Sequence, residues 1–329
     1  MIPIDSFTNV PFRCSPNPRT GGSPRTIRGI HCETGAVTTA ELRLPVRDGT
    51  VLRAVHHGSP ASGGGTPILL VHGLASNCRL WDGAARHLAA HGHDVVALDL
   101  RGHGRSDKPD HGYSVPEVAQ DVVDIIGRLA SGNAPWQRPL VIGQSWGGNI
   151  VVEIAARHGD SVRGVVAVDG GTIELKRAFP DWRECERALA PPRLAGMEAS
   201  RLRGFVRGAH RDWSDEAIDG TMANMEHFPD GTIAPWLTFE RHITVLRGLW
   251  EHSPAALFPM IDVPVLFTPA SKADDEMTRA KRASHAHALE TIRRCRVEWF
   301  EPADHDLHAQ HPARFADVVH GAIVGGFFS

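Results

Sequence analysis

The chain has 329 residues, of which 42% are hydrophobic and 22% charged, a composition typical of a globular protein with room for an inserted subdomain. Its formal net charge of −3 gives no basis for binding nucleic acid or an anionic membrane. Five cysteines without a short common spacing argue against a disulfide framework or a zinc site: Cys14, Cys32, Cys78, Cys185 and Cys295.

The first 38 residues are rich in proline and glycine and predict an irregular N-terminal arm with no chemistry of its own. They lack the pattern of a signal peptide, and no window of the chain is apolar over a membrane-spanning length. We therefore expect a cytoplasmic protein, monomeric or homodimeric, that acts on a small molecule. We expect no nucleic-acid or membrane partner, no metal and no cofactor.

Strands and helices alternate along most of the remaining chain. Residues 39–57 predict a hairpin, since Asp48-Gly49 separates two alternating runs. Buried strands followed or separated by amphipathic helices are typical of an α/β fold with a mostly parallel, doubly wound sheet. The predicted strands are 67–71, 94–98, 139–142, 162–168, 263–267 and 296–300, and the predicted helices are 79–91, 115–129, 149–156, 275–291 and one near the C-terminus.

The alternation stops near residue 172 and resumes near residue 257. The residues between are helix-like and rich in aromatic side chains, which predicts a helical cap inserted into the sheet domain. We call residues 172–256 the cap segment. The predicted organisation is an arm (1–38), a first part of the core (39–171), the cap segment, and a second part of the core (257–329).

Gly143-Gln144-Ser145-Trp146-Gly147 joins a predicted strand to a predicted helix. A serine between two glycines at such a junction lies on a sharp turn, which exposes its hydroxyl above the sheet near the first helical N–H groups. The glycines are required because a Cβ there would collide with neighbouring backbone. The pattern predicts that Ser145 is a nucleophile.

Four motifs in this order resemble those of the α/β-hydrolase superfamily, and the resemblance covers roughly residues 40–325. They are Val71-His72-Gly73-Leu74, the segment from Asp99 to Pro109, the Ser145 turn, and the segment from Ala303 to Pro312. The resemblance implies that His305 is the catalytic histidine, because it lies on the loop after the last strand with a proline seven residues on. A histidine can take the proton of Ser145 and later donate it to the leaving group. His308, the nearest alternative, is expected to shape the loop.

The resemblance implies a third catalytic residue, an acid that would bind His305, and two aspartates are candidates for it. Family members usually carry it in a Gly-x-x-Asp turn after the strand at 263–267, but Ala273 occupies the corresponding position here. Some members place the acid at the end of the preceding strand, where this chain has Asp169. We favour Asp169 and keep Asp274 as the alternative acid. Either would orient the imidazole and stabilise its protonated form.

The resemblance also implies an oxyanion hole formed by the backbone N–H groups of Leu74 and Trp146. His72 is expected to brace the loop that carries Leu74, and the segment from Asp99 to Ser106 is expected to order a tight loop under the site. The cap segment supplies five candidates for the wall of a substrate pocket, each of which could instead pack between cap helices: Trp236, Phe239, His242, Met222 and Met225.

These residues favour a serine hydrolase that cleaves a carboxylic ester or lactone of a small molecule through an acyl-enzyme intermediate. A carbon–carbon bond hydrolase, a thioesterase or an acyltransferase would use the same three residues, so they remain alternatives. A different class of alternative is a non-catalytic protein that binds a small molecule on the same scaffold.

Overall fold

The computed structural model describes residues 39–58, 65–131 and 133–329. The predicted arm at 1–38 lies outside these residues. Among the described residues, no helix is both long enough and apolar enough to cross a bilayer.

Eleven strands are present in the described residues, eight of them in one main sheet. In chain order they are β1 (Thr39–Pro45), β2 (Val51–His57), β3 (Pro67–Val71), β4 (Asp94–Leu98), β5 (Leu140–Gln144), β6 (Gly164–Val168), β7 (Met197–Glu198), β8 (Met225–His227), β9 (Thr232–Pro235), β10 (Val265–Thr268) and β11 (Cys295–Val297). The order across the main sheet is β1-β2-β4-β3-β5-β6-β10-β11. β1 pairs antiparallel with β2 and β2 antiparallel with β4, whereas the pairs β4–β3, β3–β5, β5–β6, β6–β10 and β10–β11 are parallel, which confirms the predicted fold class.

Helices cover both faces of the main sheet. In chain order the α-helices of the described residues are α1 (Asp82–Ala90), α2 (Val115–Ala130), α3 (Trp146–Arg157), α4 (Leu175–Ala178), α5 (Trp182–Leu189), α6 (Ala199–Ala209), α7 (Asp215–Met222), α8 (Phe239–Glu251), α9 (Glu276–Thr291), α10 (Leu307–Gln310) and α11 (Pro312–Val324). Leu69 and Val71 of β3 pack with residues of α2 and α3, while Ile68 and Leu70 face residues of α1 and α11. Successive strand residues point to opposite faces, so a strand buried on both sides is apolar throughout.

The structure corrects the purely helical picture of the cap segment. Besides α4 to α8, this segment contains a small antiparallel sheet with the strand order β7-β9-β8. Its strands are two to four residues long, too short for an alternating pattern to stand out from the sequence. The division of the chain at residues 172 and 256 stays a prediction.

The helix after the Ser145 turn also begins earlier than predicted. α3 starts at Trp146 instead of Asn149, because Gly147 and Gly148 already adopt helical conformation. A Cβ on Gly147 would lie 2.6 Å from the carbonyl oxygens of Val71 and His72, and a Cβ on Gly148 would lie 2.7 Å from the backbone nitrogen of Gly171. Close backbone approach, and not helix propensity, therefore explains the glycines at this helix start.

This packing predicts a large stability difference between two glycine substitutions. A Cβ on Gly143 would overlap the backbone of Gly147, so Gly143→Ala should lower the free energy of unfolding by about 1–3 kcal/mol. Gly127 is an exposed helical residue with open space around its Cα, so Gly127→Ala should raise it by about 0.5–1 kcal/mol. Urea unfolding of both variants measures the difference. Equal stability of Gly143→Ala and the wild type would contradict the tight packing of this turn.

Candidate active site

Ser145 lies on a strained turn between β5 and α3. Its backbone has φ 55° and ψ −117°, a conformation that a residue with a side chain rarely adopts. The backbone around it is tightly packed: a Cβ on Gly170 would overlap the carbonyl group of Ser145. Ser145 is 7% exposed and lines a cavity. The turn therefore holds the serine at the cavity wall with little freedom to move.

His305 lies on the loop between β11 and α10 and lines the same cavity. Its Nδ1 is 2.6 Å from Oδ2 of Asp169, at hydrogen-bond distance. Burial lowers the pKa of His305, but the hydrogen bond and the charge of Asp169 outweigh burial and raise that pKa above its usual value. Because Nδ1 is occupied, Nε2 is the ring nitrogen left for a reaction partner.

Asp169 follows β6 in a left-handed conformation, with φ 39°. Its Oδ1 accepts a hydrogen bond from the backbone N–H of Ala270 at 2.9 Å, and the ammonium of Lys281 lies 2.6 Å from Oδ1. Burial alone would raise the pKa of Asp169, but His305 and Lys281 together lower it to about 2. The carboxylate is therefore ionised over the whole physiological range.

Asp274, the alternative acid, lies elsewhere. It is exposed, just before the start of α9, and its carboxylate is 3.8 Å from the guanidinium of Arg279. Of the two aspartates weighed from the sequence, the structure brings Asp169 to His305.

The predicted oxyanion loop is braced as expected. Nδ1 of His72 lies 2.7 Å from the carbonyl oxygen of Gly73. Nε2 of the same ring accepts a hydrogen bond from the Leu100 N–H at 3.0 Å. A Cβ on Gly73 would lie 3.0 Å from the Cβ of Ser145, so this loop runs directly beside the serine. Leu74 lines the cavity, and Trp146 opens α3, where N–H groups have no partner within the helix.

The loop from Asp99 to Ser106 contacts the oxyanion loop, because the ring of His103 lies 4.9 Å from the ring of His72. Asp99 is buried and accepts hydrogen bonds from the backbone N–H groups of Cys78 at 2.8 Å and Arg105 at 3.0 Å. The Ser106 hydroxyl donates to the carbonyl oxygen of Asp99 at 2.5 Å. These bonds order the loop and connect it to the segment of Cys78, which agrees with the role expected for residues 99–106.

The cavity has a volume of about 480 Å³ and lies between the main sheet and the cap segment. Four of the five candidate wall residues line it: Met225, Trp236, Phe239 and His242. Met222 does not. It is 6% exposed, because its side chain on the last turn of α7 packs in an apolar cluster with Leu80 and Ile218. The ring of Trp146 is fully buried and stacks on His103, so only its backbone is placed to serve the site.

A polar contact between the cap segment and the histidine loop was missed from the sequence. The Asp304 carboxylate accepts a hydrogen bond from Nε1 of Trp213 at 2.9 Å and lies 3.0 Å from Nδ1 of His210. Lys272 forms an ion pair with the same carboxylate. His210 and Trp213 also line the cavity. No local pattern could reveal these partners, because about 90 residues separate them from Asp304 along the chain.

The geometry predicts which aspartate controls the protonation of His305. Asp169→Asn should lower the pKa of His305 by at least about one unit, because burial and the Lys281 ammonium would then act without the opposing carboxylate. Asp274→Asn, a matched change at an exposed position, should leave the pKa of His305 unchanged. Titration of the ring protons by NMR measures both effects. A shift in the Asp274 variant alone would contradict the assignment.

Comparisons with known proteins agree with this architecture. A family model described as "alpha/beta hydrolase fold" matches residues 66–225. A non-heme chloroperoxidase of Streptomyces lividans is 36% identical over 259 residues, which cover 75% of this chain and 88% of that protein. An uncharacterized protein of Mycobacterium tuberculosis is 28% identical over 268 residues, which cover 78% of this chain and 75% of the relative.

A solved structure of E-2-(acetamidomethylene)succinate hydrolase superposes with a TM-score of 0.70 at 22% identity, over 87% of this chain and 100% of that one. At this identity the likeness concerns the fold.

Proposed function

We propose that this chain, which belongs to the α/β-hydrolase superfamily, is a serine hydrolase that cleaves a carboxylic ester or lactone of a small molecule. The observation that carries the proposal is the hydrogen bond between His305 and the ionised Asp169, in a loop that lines the same cavity as Ser145. Nucleophile, base and orienting acid are the three parts that such a reaction needs.

In the proposed reaction, the Ser145 hydroxyl attacks the carbonyl carbon of the substrate while Nε2 of His305 takes the hydroxyl proton. Asp169 stabilises the imidazolium that forms, through the bond to Nδ1. The imidazolium then donates its proton to the departing alkoxide, which leaves as an alcohol from an ester and stays on the acyl chain as a hydroxyl group from a lactone. An acyl group remains bound to Ser145.

The second half of the reaction repeats these roles with water as the nucleophile. His305 takes a proton from the water as it attacks the acyl carbon, and returns a proton to the Ser145 oxygen as the ester bond breaks. The products are a carboxylic acid and the free enzyme. In both halves the backbone N–H groups of Leu74 and Trp146 would donate to the carbonyl oxygen as it becomes negative.

The residues that line the cavity favour a substrate with a small, mainly apolar acyl or alcohol group. The cavity volume of about 480 Å³ lies within the range of ordinary small-molecule pockets. Most of its wall is apolar or aromatic, with contributions from Leu202, Val206 and Phe239 of the cap segment. Apolar walls select substrates by size and shape. The esters and lactones used in an assay should therefore cover several acyl chain lengths.

Removal of the proposed nucleophile should abolish turnover while the fold remains intact. Ser145→Ala should lower kcat/KM for p-nitrophenyl butyrate by at least about 10³-fold, because the remaining groups cannot form an acyl-enzyme. A fluorophosphonate probe should label the wild type at Ser145 and leave the variant unlabelled. Ser131→Ala, a change at an exposed serine after α2, serves as the matched control with full activity and labelling.

Two results would contradict the proposal. Turnover retained by Ser145→Ala would place the nucleophile elsewhere. A wild type that neither hydrolyses any activated ester nor reacts with the probe would favour the non-catalytic, ligand-binding alternative.

A panel of small acyl substrates would separate an ester or lactone hydrolase from a thioesterase and from a carbon–carbon bond hydrolase. Purified protein would be assayed on a butyryl ester, a butyryl thioester, γ-butyrolactone and a β-diketone. The proposal predicts the highest kcat/KM for the ester or the lactone. A preference for the thioester or the β-diketone would instead identify a thioesterase or a carbon–carbon bond hydrolase.

A further inference from the structure

Lys281 forms a mostly buried ion pair with the carboxylate that binds His305. It lies on α9, and its ammonium is 2.6 Å from Oδ1 and 2.8 Å from Oδ2 of Asp169 and 3.0 Å from the carbonyl oxygen of Ala270. The side chain of Lys281 is 24% exposed and that of Asp169 only 2%. In so poorly solvated a site, the two charges interact far more strongly than on the surface.

The carboxylate of Asp169 is held by donors on both oxygens. Oδ1 accepts from Lys281 and from the backbone N–H of Ala270, and Oδ2 accepts from Lys281 and from His305. A carboxylate bound in this way cannot rotate about its terminal bond without breaking an ion pair. Lys281 therefore fixes the direction from which Oδ2 meets the imidazole.

Lys281 also limits how much negative charge the imidazole experiences. Lysine and histidine share one oxygen, so a proton on His305 places a second positive charge close to the ammonium. Asp169 raises the pKa of His305, whereas Lys281 lowers it. Without the lysine, the same carboxylate would act on the imidazole at full strength.

Other charged or titratable groups lie near this pair, but within residues 39–58, 65–131 and 133–329 none duplicates the contact of Lys281. They are Asp304 and Asp306 on the loop of His305, His308 on α10, His285 on α9 and His210 on the cap segment. Burial lowers the pKa of His308 to about 3 and also lowers that of His285, so both rings are neutral near pH 7. The charge of Asp306 acts on His305 in the opposite direction to that of Lys281.

We propose that Lys281 is a positioning residue of the site, whose ammonium orients the Asp169 carboxylate and shares its charge with the His305 imidazole. Only the expected effect on the pH profile of turnover rests on the proposed function. An enzyme built in this way keeps its base unprotonated at lower pH than one in which the aspartate has no second cation, and so remains active in mildly acidic solution.

The test is the pH profile of kcat/KM for p-nitrophenyl butyrate in Lys281→Met and Lys281→Gln, measured between about pH 5 and about pH 9. A base must be neutral to work, so a higher pKa of His305 moves the acidic limb of the profile to higher pH. We expect a shift of about one unit in both variants, with about tenfold lower activity below the wild-type limb and a smaller change above pH 8.

Two further variants separate charge from packing. Lys281→Arg keeps the positive charge, so its acidic limb should stay close to that of the wild type. Lys176→Met removes an exposed lysine of the cap segment, one that lies over the ring of Trp250, and should leave the whole profile unchanged. Limbs that coincide in the wild type, Lys281→Met and Lys281→Gln would overturn the proposal, as would loss of folding in both neutral variants by circular dichroism.

An NMR titration distinguishes failure of this inference from failure of the proposed function, because it requires no turnover. The His305 ring resonance is identified by its loss in His305→Gln, and its pKa is compared in the wild type and Lys281→Met. A higher pKa in Lys281→Met supports the inference even if no ester is hydrolysed. An unchanged or lower pKa overturns it even if the wild type is an active hydrolase.

Discussion

The close approach of three backbone segments at Ser145 is the constraint on which the rest of the site depends. The turn itself, the end of β3 and the start of the chain after β6 come so near that side chains at Gly147 and Gly170 would collide with neighbouring backbone. This packing sets the strained conformation of Ser145. It also places the segments that carry Leu74 and Asp169 beside the serine, although these segments follow different strands.

Electrostatic interactions then determine the protonation of Asp169 and His305. Asp169 is buried, and a lone carboxylate in that place would be costly. The ammonium of Lys281, the N–H of Ala270 and the ring of His305 together keep it ionised and oriented. One carboxylate thus binds both an ammonium and an imidazole, and the balance between these two contacts sets how readily His305 takes up a proton.

The cap segment contributes both the wall of the cavity and a contact with the loop of His305. Trp236, Phe239 and His242 face the cavity, while His210 and Trp213 bind Asp304, the residue next to His305. The part of the molecule that forms this wall of the cavity is therefore hydrogen-bonded to the loop that carries the proposed base. A displacement of the cap segment would disturb both together.

Local signals in the sequence determined much of this molecule. Apolar runs located the strands of the main sheet, and glycines around Ser145 indicated the turn, because both depend on neighbours within a few residues. The order of motifs indicated His305 and narrowed the acid to two aspartates. Only the tertiary structure brought Asp169 to His305, added Lys281 from α9, revealed the small sheet of the cap segment and turned Met222 away from the cavity. These outcomes depend on distances between residues far apart in the chain, and no local pattern of residues encodes such distances.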